Sequence, residues 1–488
     1  MNKPIRRMAL VSMALFLGLL LNATYLQYWT ADDLNARADN KRVRDAEFSR
    51  ERGAILVNGR PIAESVAVDG QYEFLREYAQ PVKYAPITGY YSYTYGRSGV
   101  EQTENTILSG SDPRLFVTRV IDMLGNQQPK GGSVSLTLNR RAQDAAWEGL
   151  QALGQGTKGA VVAIEPASGK ILAMATSPSY DPNRLASHDF RQVQQAWGDL
   201  ADDGARPMAN RAAQELFPPG STFKLVTAAA ALESGQYQPG STVPGGFSLD
   251  LPQTTNTLPN DGGGNCGGDR ITLTQAMQTS CNVTFGHLGL ELGPEAIAEQ
   301  AEAFGFGERP FEELPAVATS DFPTGDATDG PLAAYAAIGQ GSVRTSPLQM
   351  ALVTAGIANG GDVMQPYLVD EVRSPDLDVL DKTEPTALRS GAVSPSVARD
   401  LTRMLVATVD SGTATAAQIP GVEVAGKTGT AQSGDGPPFA WFVSFAPAND
   451  SRVAVAVMIE DANIARTDIA GGRLAAPIAK AVMEAVLR

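Results

Sequence analysis

The chain has 488 residues, 43% of them hydrophobic and 19% charged, with 39 basic residues against 53 acidic ones for a net charge of −14. That length exceeds one ordinary domain and that apolar content fills real cores, which excludes global disorder, and the acidic balance excludes nucleic acid as the main partner. Two cysteines and two histidines exclude a disulfide-dense mini-fold and a histidine-rich metal site, and because only 10 basic residues are lysine, a lysine inside a motif carries weight.

Lys3, Arg6 and Arg7 precede an uncharged, largely apolar stretch from Met8 to Ala31. A helix needs about 20 such residues to cross a bilayer. The basic flank predicts a cytoplasmic N-terminus, and Tyr25, Tyr28 and Trp29 suit the opposite interface. No small-x-small site follows the apolar run, so an uncleaved anchor over residues 1–33 is favoured over a signal peptide.

Residues 34–155 are mixed and polar, with short strand-like pieces and many turn residues. Tyr91, Tyr93 and Tyr95 alternate between Gly89 and Gly96, which predicts one packed aromatic face of a strand rather than a ligand-stacking platform. After Gly156 the texture changes. Gly159–Ile164 and Lys170–Thr176 are apolar runs around Glu165-Pro-Ala-Ser-Gly169, a hairpin pattern. Helices are predicted over Lys224–Leu232 and Leu332–Ile338, and strands over Val422–Ala425, Ala440–Phe445 and Val453–Ile459. Ser433-Gly-Asp-Gly-Pro-Pro438 reads as the link between two of these strands. A closing helix runs over Leu474–Leu487, with Pro477 placed in its first turn. Strands at both ends with helices between them predict an α+β domain over residues 156–488.

Three short motifs carry the chemistry. Ser221 stands three residues before Lys224, a spacing that puts hydroxyl and amine on one side of a helical turn, where a lysine of depressed pKa activates the serine. Chance alone supplies ~0.6 such pairs in this composition, so the motif decides nothing by itself. Ser280-Cys-Asn282 offers a hydroxyl and an amide able to relay a proton and hold a peptide. Lys427-Thr-Gly429 followed by Thr430 is rarer, expected about 0.1 times, and lies on a predicted strand where Gly429 lets a substrate backbone approach. Taken singly, a helix cap, a buried polar pair and a surface lysine explain them better.

Together, and in this order, they form the trio of β-lactamases and penicillin-binding proteins. The sequence resembles the class B penicillin-binding proteins over nearly its whole length. Arg52-Gly-Ala-Ile55, Tyr180-Asp-Pro-Asn183, Gly339-Gln-Gly341 and Ala440-Trp-Phe442 also match that family's pattern.

The resemblance implies a membrane-anchored, non-catalytic pedestal over 34–155. It also implies a transpeptidase domain over 156–488, built on a central antiparallel sheet flanked by helices. It implies Ser221 as nucleophile toward the D-Ala-D-Ala end of a peptidoglycan stem peptide, Lys224 as base, and backbone N–H groups of Ser221 and Thr430 as oxyanion hole. Ser280 and Asn282 would relay the proton and position the peptide, and Lys427, Thr428 and Thr430 would hold the carboxylate of substrate or β-lactam. No metal or organic cofactor is implied. A membrane glycosyltransferase and division or elongation proteins are implied as partners, because no polymerase domain fits before Gly156. Two rivals remain at this stage. One is a carboxypeptidase or serine β-lactamase handing the acyl group to water, and the other is a non-enzymatic sensor or scaffold.

Cys266 lies in the glycine-rich segment Asp261-Gly-Gly-Gly-Asn-Cys-Gly-Gly268, 15 positions before Cys281. Two nearby cysteines in an exported chain favour a disulfide, worth about 3 kcal/mol by loop closure, over two free thiols. His188 and His287 have no neighbour at metal-ligand spacing and are read as structural or surface residues.

Overall fold

A computed structural model describes residues 3–30, 34, 41–116, 124–125, 128–325, 328–434 and 436–488. Residues 1 and 2 of the tip, Ala31 at the end of the uncharged stretch, the 33 side of the expected 33/34 boundary and Asp435 of the 433–438 link lie outside them. Lys3–Thr24 is an α-helix that continues as a π-helical turn over Tyr25–Trp29, giving a 27-residue apolar span none of which is buried in the protein. Its length and composition suit a bilayer.

Beyond the span, two sheets organise the molecule. The first has six strands in the order 379–382, 369–373, 133–136, 55–57, 60–67, 74–78. The second has five antiparallel strands in the order Ala425–Ala431, Phe439–Ala446, Val453–Asp461, Lys158–Ile164, Ile171–Ser177. Its three inner strands and Ile171–Ser177 are buried on both faces and therefore read as continuous apolar runs instead of alternating ones. Helices Arg140–Ala152 and Gly471–Leu487 cover one face, through Ala142, Ala146, Leu150, Ala475, Ala479 and Val482. The buried helix Pro347–Ala358 covers the other.

The sheets do not divide at the expected 155/156 boundary. Helix Arg140–Ala152, which precedes it, packs on the five-stranded sheet, and the strands Val369–Arg373 and Val379–Lys382, which follow it, complete the six-stranded one. Val369–Arg373 pairs with Ser133–Leu136, a partner more than 230 residues away, and nothing local in the sequence signals such a pairing.

Three local expectations are corrected. The tyrosine run is not one strand but a tight hairpin, Tyr91–Ser92 against Gly96–Arg97. Tyr91 stacks on Phe48 at 4.4 Å and Tyr95 on Trp197 at 4.1 Å, while the Tyr93 hydroxyl donates to Asp45, so the aromatic rings are packed as expected but on different neighbours. The strand expected over Val422–Ala425 begins only at Ala425, because Gly421, at φ +77°, closes a turn that bridges Ile419 to Val422. The closing helix starts at Gly471, so Pro477 falls in its second turn, where the lost bond to the Arg473 carbonyl is tolerated at an exposed position.

Candidate active site

Ser221 is half-buried on a 3₁₀ turn, Gly220–Thr222, that runs into the helix Lys224–Glu233. With three residues per turn, positions 221 and 224 fall on one side, as the spacing predicts. The turn is held from three directions. Gly220 has φ +53°, and a Cβ there would stand 2.8 Å from the Thr430 carbonyl oxygen. Its N–H donates to the Gly339 carbonyl at 2.9 Å, and Gly339 itself, at φ +73°, has no room for a side chain against Gly220. The Trp441 indole donates to the Pro218 carbonyl at 3.0 Å. Residues 224–232 are all buried, which is why this helix is apolar around its whole circumference apart from Lys224 and Thr227.

Helix Leu273–Thr279 starts with a Thr272–Gln275 capping box and ends at Ser280, which takes a left-handed conformation at φ +59°. A non-glycine residue held there is uncommon and clusters at functional sites. Cys281 then opens the helix Asn282–Ala303 and is bonded to Cys266, as expected, with the Cα atoms 5.7 Å apart. The bond ties segment 261–268 to the Ser280–Asn282 corner.

Lys427, Thr428, Gly429 and Thr430 lie on Ala425–Ala431, the edge strand of the five-stranded sheet. Gly429 is needed for a closer neighbour than substrate. A Cβ there would meet Thr222 Cγ2 at 2.9 Å and Trp441 Cβ at 3.0 Å, so its absence lets the serine turn seat against the strand.

These elements converge on Ser280. Lys224 Nζ lies 2.8 Å from the Ser280 carbonyl oxygen, 3.3 Å from its Oγ and 2.7 Å from Asn282 Oδ1. Lys427 Nζ donates to Ser280 Oγ at 2.8 Å and to the Thr428 carbonyl at 2.9 Å. Asn282 Nδ2 donates to the Pro259 carbonyl at 3.0 Å, which orients the amide with its oxygen toward Lys224. Both lysines are fully buried and neither forms an ion pair among the described residues. Burial, and next the charge of Lys427, hold the Lys224 amine well below the ordinary lysine range, while Asp261 acts the other way. Burial pushes the Lys427 amine down to about 7. A buried, depressed lysine beside a serine and an amide is equipped for proton transfer.

A cavity of 420 Å³ opens over this cluster, lined by Ser221, Ser280, Thr428 and Thr430 among others. Sequence reasoning singled out those four, and missed Thr413 and Asp261, which also line it. Thr413 Oγ1 lies 2.7 Å from Thr428 Oγ1. It follows Gly412 at a helix end, too weak a signal to find it. Among the described residues, no group of three or more His, Cys, Asp or Glu is placed to hold a metal. His188 sits edge-on to Tyr72 at 5.3 Å within the aromatic cluster.

Residues 159–484 match the penicillin-binding protein transpeptidase domain, and residues 52–134 match the penicillin-binding protein A dimerisation domain. The chain is 44% identical over 494 residues to the peptidoglycan D,D-transpeptidase PbpA of Mycolicibacterium smegmatis, covering 100% of this chain and 99% of that one. It is 45% identical over 499 residues to the PbpA of Mycobacterium tuberculosis, with the same coverage. The ceftriaxone acyl-enzyme complex of penicillin-binding protein A from M. tuberculosis superposes with a TM-score of 0.87 at 43% identity, over 91% of this chain and 100% of the other.

Proposed function

The chain belongs to the penicillin-binding protein transpeptidases, and on that premise we propose that it is a peptidoglycan D,D-transpeptidase, acylated and inhibited by β-lactams. One observation carries the residue assignments: two buried lysines of depressed pKa meet at Ser280 beneath the cavity that Ser221 lines.

Ser221 Oγ attacks the penultimate D-Ala carbonyl as Lys224, whose amine burial holds well below the ordinary lysine range, takes its proton. The N–H groups of Ser221 and Thr430, on backbones that touch at Gly220, stabilise the oxyanion, a contribution worth about 3 kcal/mol per donor. Ser280, in reach of both lysines, passes the proton to the departing D-Ala. Lys427, Thr428 and Thr430 hold the terminal carboxylate, and Asn282 orients the peptide. An amine of a second stem peptide then takes the acyl group, forming the cross-link. None of these steps uses a metal or organic cofactor.

Residues 34–155, apart from helix 140–152, serve with strands 369–382 as a non-catalytic pedestal, and the rest of 156–488 carries the chemistry. The apolar span anchors the protein in the cytoplasmic membrane, with the N-terminus inside and the catalytic domain outside, as its basic flank favours. Glycan polymerisation comes from a membrane glycosyltransferase partner acting with division or elongation proteins.

The test is intact mass after penicillin treatment, followed over time. The wild type is expected to gain one penicillin and keep it, and Ser221→Ala to gain none. Labelling of the alanine variant removes Ser221 as nucleophile, and rapid loss of the adduct from the wild type marks a hydrolase instead.

A further inference from the structure

The acyl-enzyme must discriminate an amine from water, and the incoming amine is an ammonium ion in solution. The site that receives it holds little negative charge: Lys224 and Lys427 reach Ser280 from below, and Arg473 lines the cavity. Among the cavity's lining residues one carboxylate stands against them, Asp261. Arg473 is already paired, to Asp468 at 2.6 Å. The exposed Asp261 side chain has no hydrogen bond and no ion pair among the described residues.

Asp261 is nevertheless held in place. Its predecessor Asn260 is buried, donates to the carbonyls of Gly246 and Gly264 at 2.8 and 2.9 Å, and accepts from the Val283 N–H at 3.1 Å. The Cys266–Cys281 bond closes the other end of the segment onto the Ser280 corner. Between these anchors run Gly262, Gly263 and Gly264. A Cβ at any of the three would meet nothing within 4 Å, so the glycines are not there for close packing. Gly262 and Gly263 both stand at φ +73°, a left-handed conformation that glycine adopts without strain, so they shape the turn that follows the carboxylate.

We infer that Asp261 is a positioning residue for the acceptor: it binds the side-chain ammonium of the second stem peptide and so favours aminolysis over hydrolysis. This rests on the transpeptidase reading above. The ammonium docks on the carboxylate and gives one proton to bulk water. The nitrogen lone pair then forms the C–N bond as the bond from the acyl carbon to Ser221 Oγ breaks, and the second amine proton passes through Lys224 to Ser221 Oγ.

The experiment uses the full chain in detergent, a thioester donor peptide, and an acceptor tripeptide whose third residue bears a side-chain primary amine. The ratio of cross-linked to hydrolysed product is read by mass. Asp261→Asn is expected to lower that ratio about tenfold, the order of one lost charge-assisted contact, chiefly through acceptor KM, and Asp261→Glu to recover part of it. Penicillin acylation, which has no acceptor, is the control and is expected to change much less. An unchanged ratio in Asp261→Asn overturns the inference, as does a parallel loss of acylation, which would mean that Asp261 acts through Lys224. A wild type that yields hydrolysed product alone overturns the transpeptidase reading itself.

Discussion

Lys224 and Lys427 flank Ser280, fully buried and without a carboxylate partner among the described residues, and their environments differ in a way that suits them to different work. Two ammonium groups this close cannot both be charged cheaply. Burial and the charge of Lys427 push Lys224 to the neutral form that a base requires, while Lys427, at about 7, still carries charge near neutrality. Lys224→Arg is therefore expected to lower penicillin acylation about a thousandfold, because a guanidinium never gives up its proton at physiological pH. Fluorescent-penicillin labelling at wild-type rate in that variant would rule out Lys224 as base. The charge on Lys427 gives a second expectation. Above about pH 7 it loses its proton, and in the proposed role its hold on a carboxylate, so the second-order acylation rate should fall between pH 7 and 9. A flat profile across that window would remove Lys427 from carboxylate binding. Both lysines were legible from composition and motif, but their pKa values were not, since burial is set by the helices and strands around them.

At the scale of elements, the site is a contact between one turn and one strand. The turn carrying Ser221 seats against Ala425–Ala431 only because positions 220 and 429 lack side chains. Gly429→Ala places a methyl 2.9 Å from Thr222 Cγ2 and 3.2 Å from the Pro219 carbonyl oxygen, so the turn must move. The expected result is at least about a tenfold loss of acylation with about 1–3 kcal/mol of destabilisation, read by labelling kinetics and thermal unfolding. Unchanged kinetics would show that the turn tolerates the shift. The hairpin over 158–177 and the later strands were legible because each is an apolar run between turn residues. The tyrosine hairpin and the start of the strand at Ala425 were not, because Tyr alternation and short apolar runs do not reveal where a chain reverses. The reason for Gly429 was likewise hidden, since its neighbours Thr222 and Trp441 are distant in sequence.

At the scale of the whole molecule, a buried carboxylate ties the six-stranded sheet to the helix beside it. Glu101 accepts from Arg52 Nε and Arg76 Nε, each at 2.6 Å, and Arg76 also donates to the Gly53 carbonyl at 2.8 Å. Burial alone would raise its carboxyl, but Arg76 and Arg52 outweigh that and keep it below the ordinary carboxylate value of 4.5. Glu101→Gln strands two buried guanidiniums and is expected to cost about 3–5 kcal/mol by urea unfolding. A folded-state carboxyl that is depressed adds stability above its unfolded pKa and loses it as pH falls through the folded one. The gap between wild type and variant should therefore narrow progressively as pH falls below the unfolded carboxylate range toward the depressed folded value. A gap that persists at acid pH would point to packing rather than charge. Across the molecule, Asn183 exchanges two hydrogen bonds with the backbone of Tyr78, at 2.9 and 3.1 Å, joining the segment after the first hairpin to the edge of the six-stranded sheet.

The apolar span, the order of the three motifs and the family resemblance are legible in the sequence alone, because each is written in adjacent residues, in composition or in a short spacing, whereas the bond between Cys266 and Cys281 was favoured by their spacing and shown by the structure. It took the folded chain to show that strands 369–382 complete the six-stranded sheet, that helix 140–152 belongs to the five-stranded one, and that Asp261 lines the cavity together with Ser221, Ser280 and Thr430. Those are contacts between segments tens to hundreds of residues apart. Their partners are chosen by shape and charge complementarity after the local elements have formed, and no periodicity or motif in one segment carries the address of the other.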